Sequence, residues 1–403
     1  MDLTRWMSKI ALLTTVAVAV TCVNVESAAA KPSDDARLRE PLVSLYGRTP
    51  LTGAQIRQAQ RTAAVLGLQA FEIRAPMLAM VSYKQDDREV LDIPRGWRVP
   101  MAAVAMPIAL VRSIATEHVA EVLERGDVAL GRTSASLRKA SVGDVITVLD
   151  RRSRRQSIVV GAIVPDVFTA DTDMLMSDSV AQQLGVTSIQ RVAFIGVRRV
   201  GALRRNLNSK GFRVGSLHRL VQSTDQKNPD AMLGLAKVKE LLGEFSYKPV
   251  NKNGVLVDTK WRTRNIAYQM KYSDVGLIHN CHRVVIDAVQ AALTEIRMRG
   301  LSSEIDVAMS NQYGGCYRGR YSRQAEKVFG NISRHAWGMA FDINTSTNAR
   351  GAVPQLNCDV VRIFRKHGFA WGGNFIVPDG MHFEYVGEPR DQLKYPSSYC
   401  PNT

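Results

Sequence analysis

The 403-residue sequence predicts an α+β fold in two folded units, and three features carry that expectation. The length exceeds what one ordinary domain needs. Strand-like alternation and helix-like periodicity are interleaved through the first half. A polar stretch containing a proline, residues 224–230, then separates residues 31–223 from residues 231–403, which carry their own amphipathic helix and alternating runs.

At the N-terminus, Arg5 and Lys9 precede an apolar stretch over residues 10–25 and Ala28-Ala29-Ala30. This reads as a signal peptide over residues 1–30, cleaved so that the mature chain starts at Lys31, with an uncleaved signal anchor as the rival. Beyond it no apolar run is long enough to cross a bilayer, so no membrane span is expected after cleavage. Asp2 and Glu26 offset Arg5 and Lys9, and cleavage leaves the formal charge of +16 unchanged. In a secreted, extracytoplasmic protein of the cell envelope such a charge suits anionic envelope polymers. No nucleic-acid motif accompanies it, and plain solubility explains it almost as well.

In the first unit, Ile56, Ala59, Ala63, Val65 and Leu66 recur at helical intervals after Gly53. Residues 145–149 and 157–163 read as a hairpin across the polar turn 150–155, whose four arginines are expected to be a solvated loop. A strand at 174–176, a helix capped by Ser177 and a strand at 191–197 complete an α+β module for targeting or spacing. Asp127-Val-Ala-Leu-Gly131, Val142-Gly-Asp144 and Val159-Val-Gly161 follow one another in an order that resembles the extracytoplasmic domain of MacB and FtsX type permeases, over residues 120–210. That resemblance implies a binding or spacer role without chemistry.

In the second unit, Val285, Ala288, Val289, Ala292 and Ile296 define one face of a helix over residues 284–298 that ends at Gly300. Residues 304–309 read as a strand leading to a glycine-rich loop at 314–318. The four cysteines beyond the signal, Cys281, Cys316, Cys358 and Cys400, point to disulfides in an exported chain. Three pairings are open; Cys281 with Cys316 and Cys358 with Cys400 is the one favoured.

The chemistry lies further on. Residues 339–344 alternate so that Met339, Phe341 and Ile343 face a core and Asp342 the opposite side, while the small Gly338 and Ala340 leave room for a metal near the backbone. Residues 381–386 alternate likewise, with His382 and Glu384 on one face. His335, Asp342 and His382 are therefore the expected ligands of a zinc ion, which with three protein ligands keeps a fourth position for water and lowers that water's pKa to about 7. Asp379, across the turn at Gly380, is the expected general base and later acid. Arg318 is the expected carbonyl-polarising cation, with Arg320 and Arg323 as neighbours of the same type. Glu384 is expected to orient an imidazole, and Trp337 and Trp371 to be wall and core. His279-Asn-Cys281-His282 is a weaker competing metal cluster, and His118, His218 and His367 show no partner in the sequence.

Ser333-x-His335-x-x-Gly338-x-Ala340-x-Asp342, Trp371-Gly-Gly373 and Asp379-x-Met-His382-Phe-Glu384 together resemble the VanY-type zinc D-alanyl-D-alanine carboxypeptidases and L-alanyl-D-glutamate endopeptidases. Tyr317-Arg318 resembles that family's arginine loop, and the likeness spans about residues 235–390. It implies a central antiparallel sheet with flanking helices, a single zinc ion, and hydrolysis of amide bonds in peptidoglycan stem peptides, either at a terminal D-alanine or inside the stem. Asp379 departs from the glutamate of many relatives, which shortens the base. The alternative from another class is a non-catalytic cell-wall-binding or scaffold protein with a retained metal site.

Overall fold

The computed structural model describes residues 38–402 except 92, 224–227, 273–276, 307–314, 323–329 and 396, with no side chains described over 269–279. The expected export signal and most of the expected linker thus lie outside the described residues.

Seven strands form one mixed sheet in the order Arg88–Leu91, Met77–Gln85, Val99–Met106, Met174–Ser177, Val128–Gly131, Arg155–Val164 and Val145–Leu149. Met77–Gln85 also pairs with Val145–Leu149, so six of the seven close into a barrel. The period of two along each strand feeds separate cores. Met101, Ala103, Met174 and Met176 enter one, while Val104, Met106 and Leu175 enter the other beneath the helices Ile108–Ile114 and Glu117–Glu124. The predicted hairpin is present, with Val145 opposite Val159 and Leu149 opposite Arg155. Its turn is exposed and is shaped by Asp150, whose carboxylate accepts the Arg152 and Arg154 backbone N–H groups.

A four-stranded antiparallel sheet, His218–Gln222, Val43–Gly47, Arg191–Ile195 and Gln69–Ile73, carries the helices Gly53–Val65 and Val200–Ser209. The first helix starts at Thr52 in a capping box with Gln55. Ile56, Ala59 and Ala63 are buried as expected, but Val65 is 79% exposed: on the last turn it has rotated off the packed face.

The C-terminal part is α+β as well. Helices Leu235–Leu242, Ile286–Met298 and Cys358–Lys366 flank a three-stranded antiparallel sheet ordered Ala340–Asp342, His382–Tyr385, Phe369–Trp371. Phe341 and Phe383 stack at 5.4 Å between cross-strand partners, and Phe364 and Phe369 close the cluster. All four are at most 1% exposed, and burial of each ring contributes roughly 2–3 kcal/mol. The strand expected at 304–309 differs: Ser302–Glu304 is a 3-10 turn, and the remainder of the run falls largely outside the described residues.

Both favoured disulfides are present, Cys281–Cys316 and Cys358–Cys400. The first closes a 35-residue loop. Loop-closure entropy predicts that Cys281→Ser/Cys316→Ser lowers unfolding free energy by up to about 4 kcal/mol, measured by urea denaturation.

Cores on either side of position 230 are distinct, yet charged groups bridge them. Lys239, fully buried, reaches Asp173 at 2.9 Å and Glu244 at 2.8 Å, and Arg138 contacts both acids. Asp230, at the end of the expected linker, is itself buried and accepts hydrogen bonds from Arg365, Asn374 and the Trp371 backbone.

Candidate metal centre

The central strand pair sets the site. Asp342 and His382 are cross-strand partners, so their side chains leave the same face of the sheet side by side. His335 comes from the short 3-10 helix Arg334–Trp337, which enters the strand through Gly338 at φ 66°. One ligand atom from each of His335, Asp342 and His382 lies within 4.8 Å of the others. The structure thus brings together three residues separated by up to 47 positions (382 − 335).

The imidazoles are oriented for a cation. The two carbonyls Gly315 O and Cys316 O lie 3.2 Å from His335 Nδ1, which donates to them. Its Nε2 is buried without a hydrogen-bond partner, 3.4 Å from Asp342 Oδ2. His382 Nε2 lies 3.1 Å from Glu384 Oε1, leaving Nδ1 facing Asp342 Oδ1 at 2.8 Å. An orphaned ring nitrogen, a second ring nitrogen held by a carboxylate behind it, and a carboxylate between them form a donor set that fits a divalent ion such as zinc.

Electrostatics agree. Burial works to neutralise Asp342, but the His335 and His382 imidazoles outweigh it and hold the carboxyl well below its ordinary range. Burial alone would lower His382; hydrogen bonds to Asp342 and Glu384 instead raise it to about 10. The carboxylates of Asp342 and Glu384 thus favour positive charge beside them.

Asp379 and the candidate ligands Asp342 and His382 line one cavity of about 420 Å³. The Asp379 turn is set by Gly372 of Trp371-Gly-Gly373: the Asp379 N–H donates to Gly372 O at 2.9 Å, and a Cβ on Gly372 would meet Asp379 O at 2.6 Å. Arg350 Nε lies 3.7 Å from Asp379 Oδ2. Glu384 is buried, as befits its orienting role, with Arg334 at 3.7 Å behind it.

Arg318 is exposed and does not line the cavity, since its strand-like segment turns Arg320 inward; only the Arg318 backbone serves the site, donating to His335 O. Arg323 lies outside the described residues. Gly338 makes room for protein rather than an ion: a Cβ there would sit 2.8 Å from His282 N. Within the 279–282 cluster, Cys281 is in a disulfide and the His282 ring engages Leu242 O and Val284 N–H, so neither of these two residues offers a donor to a metal. The His279 side chain is not described. Trp337 and Trp371 are fully buried, with indole N–H groups on Gly243 O and Gly380 O. His367 meets Glu295 and His218 meets Gln55, partners far off in sequence.

Burial pushes His282 down to about 4, so the folded state holds it neutral. Unfolded, it protonates near 6.5. Stability is thus full above pH 6.5 and declines as pH falls towards 4; the expected loss from this group is roughly 2 kcal/mol after allowance for solvent screening. Equilibrium unfolding of His282→Gln across this range should lack that part of the slope.

The sequence did not expose Arg334 or Arg350, which carry no motif of their own, nor the cavity residues Met77, Ala102 and Thr172 from the first unit. A larger open groove of about 860 Å³, beside Arg198 and Arg199, gathers no comparable chemistry.

Fold and site together describe an α+β protein with a candidate metal-binding cluster. Residues 329–385 match the profile of the family described as D-alanyl-D-alanine carboxypeptidase. No curated protein sequence matches the chain. Among solved structures, the extracellular domain of the noncanonic ABC-type transporter YknZ from Gram-positive bacteria aligns at 8% identity and a TM-score of 0.29. The alignment covers 45% of this chain and 99% of that one, and a likeness at this TM-score carries no argument. No helix among the described residues is long and apolar enough to cross a membrane.

Proposed function

We propose that this chain is a zinc-dependent peptidase of the cell envelope that hydrolyses amide bonds of peptidoglycan stem peptides. The observation that carries the reading is the placement of Asp379 in the same cavity as Asp342 and His382, two members of the donor cluster that the buried His335 completes. Zinc held there would act as a Lewis acid on the scissile carbonyl and acidify water.

The chain's own residues do the rest. Asp379 takes the proton of the attacking water at a carboxylate oxygen and returns it to the leaving amine. Glu384 and the Gly315 and Cys316 carbonyls fix the two imidazoles. The oxyanion role expected of Arg318 is assigned here to Arg320, which faces the cavity. Arg320, Arg334 and Arg350 balance Asp342, Asp379 and Glu384 in the lining, so a divalent ion leaves the cavity cationic and suited to carboxylate-bearing peptides. The +16 charge supports retention on anionic envelope polymers.

The test is incubation of the purified protein with muropeptides, with and without chelator, followed by mass spectrometry. Chelator-sensitive release of D-alanine identifies a carboxypeptidase, and split stems identify an endopeptidase. Sacculus binding with no cleavage sinks the proposal in favour of a scaffold.

A further inference from the structure

The cavity lined by Asp342, Asp379 and His382 is not built by the C-terminal residues alone. Met77, Ala102 and Thr172 line it from the barrel side, together with Asp342, Asp379 and His382. Met77 and Ala102 face each other in register on adjacent antiparallel strands and pack against the C-terminal core.

This wall is held rigidly. Ala102 N–H donates to Asp173 Oδ2 at 2.9 Å, and Asp173 N–H returns a bond to Ala102 O at 2.9 Å. Asp173 has no exposure and binds Lys239 Nζ at 2.9 and 3.1 Å. Lys239 belongs to the helix Leu235–Leu242, whose first residue Leu235 lines the same cavity. The Ala236 N–H reaches Asp171 O at 3.2 Å, beside Thr172, whose hydroxyl donates to Thr169 O. Removing charge from this network would cost far more than leaving it, so the wall keeps its place when a ligand enters.

Met77 and Ala102 give the cavity an apolar surface on the barrel side, while Asp342, Asp379 and His382 give it polar groups elsewhere in the lining. We propose that Met77 and Ala102, with Thr172 beside them, form the subsite that receives a small apolar side chain of the bound peptide. Selection is then made jointly by residues on either side of position 230, and the first unit is part of the binding site rather than a spacer. This inference rests on the peptidase reading above.

The experiment uses the full chain and a synthetic stem pentapeptide ending in D-Ala-D-Ala, beside analogues with a bulkier apolar residue at each terminal position in turn. Ala102→Leu fills the subsite, and Met77→Ala empties it. One methylene group in such a pocket is worth roughly tenfold or more. Ala102→Leu should raise KM for the pentapeptide about tenfold with kcat nearly unchanged, and Met77→Ala should raise relative kcat/KM for a bulky analogue about tenfold. Calorimetry in an Asp379→Asn background should show the same shifts in pentapeptide and analogue binding, with zinc content unaltered.

Opposite responses of the two variants support the subsite, because a general folding defect would move both the same way. Changes below twofold in both, or equal losses of kcat or of folded protein, overturn it. A wild-type protein that neither binds nor cleaves any of these peptides overturns the peptidase reading itself, and the subsite with it.

Discussion

Replacing Asp379 by asparagine should leave bound zinc in place and lower turnover of the best muropeptide by about a thousandfold, the range of a lost general base. His335→Ala and His382→Ala should instead lose the metal, and activity with it. The two classes differ because the ligand cluster is complete without Asp379, whose carboxylate enters the cavity from the turn before His382. Metal analysis beside single-turnover rates separates them. Near-normal rates for Asp379→Asn would remove it from the mechanism, and zinc loss in that variant would recast it as a ligand.

Asp230→Ala should lower unfolding free energy by about 3–5 kcal/mol, since it strands the buried Arg365 guanidinium. Asp230 accepts two bonds from Arg365, at 3.0 and 2.7 Å, one from the Trp371 N–H and one from Asn374. Those last two residues bracket Gly372 and Gly373, on which the Asp379 turn rests. The variant should therefore raise KM or lower kcat even where it remains folded. Arg365→Met added to Asp230→Ala should recover part of the stability by removing the unpaired charge. Urea titrations of the two single variants and the double variant test this, and strict additivity would exclude the coupling.

Much of the site was legible because its chemistry is local. The alternation over 339–344 and 381–386 put Asp342 and His382 on defined strand faces, and the strand register then made them neighbours. The amphipathic face of the helix Ile286–Met298 and the hairpin at Val145–Leu149 were legible for the same reason. The placement of Arg318 was not legible because an arginine's spacing from a motif does not say which way an irregular segment turns. Two residues decide between solvent and cavity there.

By itself, then, the sequence determined the α+β character and the residue types of the candidate centre, since both follow from periodicity and side-chain chemistry within short windows. Only the tertiary structure decided which arginines face the cavity, that Asp230 is buried and holds Arg365 and Trp371, and that Met77, Ala102 and Thr172 line the same cavity as Asp379. Those facts depend on burial and on pairing between residues more than a hundred positions apart, and no local pattern in the chain encodes them.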